Sequence, residues 1–178
     1  MHKHLLFVLS TSFLLMLPFQ SFAEDKGWIK SPNGWQYMED GAPVVEEWRK
    51  SGNEDFYLGS DGIICANMLL RDNNNDLYFL NESGAKLKST WRYVNDPYTQ
   101  DGFHWFYFDS SGKALIGKES SKASFKTIDN RDYLFDENGH MMSGWIYSDG
   151  SPVAEDDEEG WKDSPYYLGE ATDGAVSK

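Results

Sequence analysis

Trp28, Trp35, Trp48, Trp91, Trp105 and Trp145 recur along a strongly acidic chain, and Trp105 opens a run of four rings, Trp-Phe-Tyr-Phe, at 105–108. Indole and phenol faces are electron-rich and attract a weakly hydrated cation, an interaction worth about 2 kcal/mol or more once the cation is desolvated. The same flat rings stack on the apolar faces of sugars. Both chemistries recognise a ligand without breaking bonds, and bond-breaking motifs are not found beside them. No Gly-x-Ser-x-Gly elbow, phosphate-cradling glycine loop or zinc motif occurs, so no catalytic residue is assigned, and no motif calls for a cofactor.

Metal chemistry is equally thin. The run DNNND at 72–76 has the alternating oxygens of a calcium loop, but Leu77 and Ser83 stand where that loop needs glycine and glutamate. It reads as a polar turn. The cluster EDDEEG at 155–160 reads as a solvated acidic loop. His104 and His140 lie 36 residues apart with no ligand spacing around either, so surface or stacking roles are expected, and no metal site is assigned. Cys65, the sole cysteine, sits among apolar neighbours and is expected to be an inert buried thiol.

Such rings need a scaffold, and the sequence supplies one by repetition. WQYMEDG, FYLGSDG, YFLNESG, FYFDSSG and YLFDENG each run from aromatic residues through a short polar stretch to glycine, at Gly41, Gly62, Gly84, Gly112 and Gly139. The spacings of 21, 22, 28 and 27 are on the scale of a solenoid. Aromatic triplets favour strands, and the Asp/Asn/Ser/Gly clusters that follow favour turns in which glycine takes a positive φ. A second turn signal precedes each triplet: SPNG, SGNED, DNNND, DPYTQDG and DNRD. A strand bounded by tight turns on both sides predicts a β-hairpin as the unit. One hairpin is marginal in water, so neighbouring units must stack and bury each other's rings. The predicted fold is all-β, a solenoid of stacked β-hairpin repeats.

The pattern resembles the cell-wall-binding repeats of bacterial choline-binding and glucan-binding proteins, through GWIKSPNGWQYMEDG at 27–41 and NGHMMSGW at 138–145. The resemblance covers most of residues 27–150. It implies ligands seated between consecutive hairpins, where two tryptophans of one repeat and a tyrosine of the next surround a quaternary ammonium group. Carried over by position, it places Trp28, Trp35 and Tyr57 in a first site and Trp91 and Trp105 in a fourth, where Leu134 stands in the tyrosine place with Tyr133 beside it. The second site has Trp48, Asp55 and Phe79, the third has Leu69 and Leu77, and the fifth has Asp132 at its inner place. The implied partner is a cell-wall polymer, either choline-bearing teichoic acid or a glucan. The competing expectation is a structural or adhesion module that presents its loops, among them VNDPYTQDGF at 94–103, to another protein.

The ends of the chain complete the expectation. Residues 1–23 place Lys3 before an apolar run and close on Ser-Phe-Ala, as a signal peptide does, with cleavage expected after Ala23. Lys3 is the only charge in that segment, so its removal takes the formal net charge from −13 to −14. Such a surface repels nucleic acid and anionic lipid, so neither nucleic acid nor, after cleavage, membrane is an expected partner. Secretion or cell-wall attachment is the expected location. Residues 24–150 form the repeat region, and 151–178 are expected to be an acidic loop followed by a degenerate terminal hairpin or tail.

Overall fold

The computed structural model describes residues 26–118 and 123–170. The expected leader at 1–23 and the last eight residues of the tail lie outside them. The chain forms antiparallel hairpins in succession, in an all-β stack as expected. They are β1 (Lys26–Ser31) with β2 (Gly34–Glu39), β4 (Glu47–Ser51) with β5 (Glu54–Leu58), β6 (Met68–Arg71) with β7 (Leu77–Leu80), and β8 (Thr90–Asn95) with β9 (Phe103–Phe108). Next come β10 (Lys126–Ile128) with β11 (Arg131–Tyr133), and β12 (Gly144–Ile146) with β13 (Tyr166–Leu168). A two-residue strand, β3 (Ala42–Pro43), extends the first hairpin. Among the described residues the one helical segment is a 3-10 turn, Gly160–Asp163, and no helix is long and apolar enough to cross a membrane.

Alternation along each strand explains why every unit is apolar on both sides. In the third hairpin Leu70, Tyr78 and Leu80 pack back on Trp48 and Tyr57, while Leu69, Leu77 and Phe79 pack forward on Phe106 and Phe108. In the fourth, Trp91 and Tyr107 pack forward on Tyr133 and Phe135. Leu134 then meets Ile146 and Leu168. The core is therefore a series of separate clusters, one for each pair of neighbours from the second hairpin onward, as a solenoid requires. The ring run at 105–108 serves both sides: Phe106 and Phe108 are fully buried against the hairpin behind, and Tyr107 belongs to the cluster ahead.

Backbone hydrogen bonds stitch the stack together. After the second strands of the third and fourth hairpins an Asx turn closes on the repeat glycine: Oδ1 of Asn81 accepts the N–H groups of Ser83 and Ala85, and Oδ1 of Asp109 those of Ser111 and Lys113. Gly84 and Gly112 take φ of 85° and 88° there. The linker that follows points its N–H groups alternately in two directions. Cys65, Leu87, Leu115 and Met142 donate to the carbonyls of Tyr57, Phe79, Tyr107 and Leu134 in their own hairpins. Ile64, Lys86, Ala114 and Met141 donate to Trp35, Asp55, Leu77 and Trp105 in the preceding ones.

The residue that opens a hairpin carries strain. Glu46, Asn67 and Ser89 have φ of 52°, 51° and 48°, a left-handed conformation that costs a residue with a Cβ about 1–2 kcal/mol. At Ser89 the N–H still donates to the Asp109 carbonyl at 2.9 Å. Ser89→Gly keeps that bond and relieves the strain, so it is expected to stabilise the protein by about 0.5–1 kcal/mol. A thermal midpoint unchanged or lowered relative to the parent contradicts this account of the turn.

Two loops are tied into the stack. Strand β13 pairs back across the acidic loop onto β12, so residues on both sides of position 150 belong to the last described hairpin. Strand β12 even carries the bonding of a second strand, with Ile146 bridged to Pro152 and the Trp145 carbonyl accepting from Val153. The 96–102 insertion does not protrude freely. Tyr98 lays its hydroxyl on the edge of β6, accepting from the Arg71 N–H at 3.0 Å, with the Arg71 guanidinium 5.0 Å from its ring.

Candidate functional site

The stitching defines equivalent positions in the first four gaps between hairpins. Each gap has a leading residue on a first strand, an inner residue on the paired second strand, a ring from the next hairpin, and the linker residue bonded to the inner one. In the first gap these are Trp28, Trp35, Phe56 and Ile64. In the second they are Trp48, Asp55, Tyr78 and Lys86. The third has Leu69, Leu77, Phe106 and Ala114, and the fourth has Trp91, Trp105, Tyr133 and Met141.

In the first gap Trp28, Trp35, Ser51, Phe56, Ile64 and Ser83 line a cavity of about 300 Å³. The Trp28 indole N–H donates to the Lys50 carbonyl at 3.1 Å, which fixes the ring against the second hairpin. Its edge meets Phe56 at 5.6 Å between centroids, and Trp35 is 47% exposed on the open side. Tyr57 does not line this cavity. It is buried on the opposite face of β5 as the cross-strand partner of Trp48, with the rings 5.2 Å apart. The ring that the second hairpin gives to the gap is Phe56, one residue earlier.

The same one-residue offset applies along the stack. The rings across the gap from Trp48 and Trp91 are Tyr78 and Tyr133, at 4.9 and 4.8 Å, rather than the following Phe79 and Leu134. In the fourth gap Trp91 is packed among Tyr107, Tyr133 and Phe135. Trp105 is half-buried and tilts against Tyr93, which continues the row to Phe103. Trp91 and Trp105 therefore share one face of the fourth hairpin, as alternation demands, with Trp105 toward its exposed end.

The second and third gaps are filled from within. All four positions of the third belong to one buried apolar cluster. In the second, Asp55 takes the inner place with its carboxylate ringed by Lys88, Lys86 and Lys50 at 2.7, 3.4 and 3.8 Å. Burial works to raise its pKa, but Lys88 and Lys86 win and lower it. Burial also pushes the Tyr78 phenol up to about 12, so this ring stays neutral.

A polar cluster that the sequence keeps apart joins the fourth and fifth hairpins. His140 Nε2 lies 2.9 Å from the buried Asp96 carboxylate and Nδ1 lies 3.2 Å from Asp136, while the ring stacks on His104 at 3.7 Å and meets the edge of Phe106. Ligand atoms of Asp101, His104 and His140 come within 4.8 Å of one another. The imidazoles are parallel to within 8°, so their in-plane lone pairs run side by side rather than converging as metal ligands do. The arrangement is a charged staple. Burial opposes protonation of His140, but Asp136, Asp96 and Asp101 outweigh it and raise its pKa above the usual 6.5.

A folded-state pKa above the unfolded one stabilises the protein fully at pH below the unfolded value, and the contribution fades as pH rises through the folded value. The thermal midpoint is therefore expected to fall as pH rises from about 6 to 9, with the slope flattened in His140→Gln. A slope that survives in the variant contradicts the staple.

The remaining motifs are structural. Asp72 Oδ1 accepts the N–H groups of Asn74 and Asp76, making DNNND the turn of the third hairpin, and Lys113 pairs with Asp76 at 2.5 Å. In the acidic loop Asp157 caps the Gly160 N–H and accepts from the Tyr147 hydroxyl at 3.0 Å. Cys65 packs beside Tyr57 and Leu80, where burial raises its pKa and keeps it a thiol.

Residues 46–64, 100–114 and 124–141 match the cell wall binding repeat family. Each matched segment ends on a linker residue of a gap: Ile64, Ala114 or Met141. Glucosyltransferase-S of Streptococcus mutans serotype c is 29% identical over 125 residues, covering 69% of this chain and 7% of that protein. The modular autolysin LytC from Streptococcus pneumoniae, solved with a synthetic peptidoglycan ligand, is 25% identical with a TM-score of 0.54, covering 84% of this chain and 28% of its own. CbpJ from Streptococcus pneumoniae TIGR4 shares the fold at 20% identity, with a TM-score of 0.53 over 85% of this chain and 42% of its own. The chain thus spans less than half the length of each. The matched segments end at equivalent points of the second, fourth and fifth hairpins, and over them this chain is similar to cell wall binding repeats.

Proposed function

We propose that this chain is a non-catalytic exported module that holds a cell-surface polymer without a covalent bond, seating choline groups of teichoic acid in its first and fourth gaps. The observation that carries the reading is the first-gap cavity, where two tryptophans and a phenylalanine from consecutive hairpins meet over a volume suited to one small cation. No cationic side chain lines it, and the acidic surface enriches cations around its mouth. Each site is weak alone, and two sites on one polymer raise avidity without new contacts. A leader at 1–23 and a place at the cell wall fit this role.

A second reading, glucan binding, is favoured by one observation. Tyr93 and Phe103, 53% and 59% exposed, continue the row from Trp105 as an exposed aromatic platform on which sugar rings could stack. Retention on choline-derivatised resin and on insoluble α-glucan separates the two. Retention on the resin with elution by free choline is expected. Retention on glucan alone transfers the function to the platform, and retention on neither leaves the adhesion module that binds protein through its loops.

A further inference from the structure

The second gap has the leading tryptophan and the facing tyrosine of a cation site, yet it holds a cation that belongs to the chain. Lys86 Nζ lies 4.7 Å from the centroid of the Trp48 ring and 5.3 Å from that of Tyr78. Its side chain is 14% exposed, and its ammonium is 3.4 Å from the Asp55 carboxylate, which stands where the first and fourth gaps have Trp35 and Trp105. Lys86 is also the linker residue of this gap, the place held by the uncharged Ile64 in the first and Met141 in the fourth. A lysine at this one position therefore enters the cavity by geometry rather than by chance: its N–H is bonded to the inner residue, and its side chain follows across the rings.

We propose that Lys86 is a built-in occupant of the second gap, filling with its own ammonium the site that other gaps offer to a ligand, so that this residue determines which gaps bind. The inference rests on the reading of the gaps as ammonium sites. A tethered ammonium competes at an effective concentration that dilute ligand does not reach, and an incoming cation meets like charge. Removing it leaves Asp55 still paired with Lys88, beside two exposed ring faces ready for a quaternary ammonium.

The test follows the Trp48 indole resonance by NMR during titration with choline and with tetramethylammonium, in the parent, Lys86→Ala and Lys86→Met. In the parent Trp48 is expected to stay still, and in Lys86→Ala to shift saturably, with apparent affinity higher by about tenfold or more. A parent Trp48 that titrates as readily as the variant, or a folded variant in which it stays still, overturns the proposal. The Lys86 methylene protons of the parent give a readout free of ligand and of variant folding. Upfield ring-current shifts are expected, and random-coil positions overturn the proposal. Should Trp28 and Trp35 ignore choline while Trp48 of Lys86→Ala responds, the choline reading of the first gap fails and the role of Lys86 stands.

Discussion

Gly112→Ala is expected to destabilise the protein by about 2–4 kcal/mol, a large effect for a single added methyl group. Two costs combine. At φ 88° the new Cβ strains the backbone, which alone accounts for about 1–2 kcal/mol. The Cβ would also lie 2.8 Å from the Leu87 carbonyl oxygen and 2.9 Å from the Lys86 side chain, in the linker of the preceding hairpin. That carbonyl is backbone held by the stitching bonds, so it cannot move aside without parting two units. Gly52→Ala separates the two costs: φ there is 59° and no atom lies within 4 Å of the added Cβ, so the expected loss is only about 1 kcal/mol. Equal losses at the two sites, measured by denaturant unfolding, refute the close approach of turn to linker as the reason for the glycine.

Trp35→Ala is expected to weaken choline binding in the first gap strongly while leaving the fold intact. The side chain is 47% exposed, so its loss removes little buried surface, and a stability change within about 0.5 kcal/mol is expected. Its indole forms one wall of the cavity, opposite rings held in place by other contacts. Losing a cation–π wall worth about 2 kcal/mol lowers affinity about thirtyfold. Trp161→Ala is the control, since Trp161 is similarly exposed but leans on Trp145 in the last hairpin, away from the first gap. Equal loss of binding in both variants, or none in Trp35→Ala, removes the first gap from the function.

What the sequence made legible was whatever depends on neighbours along the chain. The turn glycines, the polar Asx residues and the pairing of Trp28 with its own hairpin all follow from local spacing. The ring facing Trp28 across the gap did not. Tyr57 and Phe56 are adjacent in sequence and point to opposite faces of β5, so choosing between them requires the register of one hairpin on the next, set by the linker bond from Ile64 to the Trp35 carbonyl. Tyrosine was the residue expected by resemblance, and a phenylalanine held the position. Lys86 was missed for a related reason: a lysine in a linker reads as solvated until the linker is seen to lie across the rings. His104 and His140, 36 residues apart, meet because the fifth hairpin stacks on the fourth, and no spacing rule announces that.

The account stands on guests being enclosed by rings of two consecutive hairpins. Intermolecular nuclear Overhauser effects from the N-methyl protons of choline test this most directly. Contacts to Trp28, Trp35 and Phe56 together are predicted, with none to Tyr57. Contacts to a single hairpin only, or to Tyr57 in place of Phe56, would contradict it.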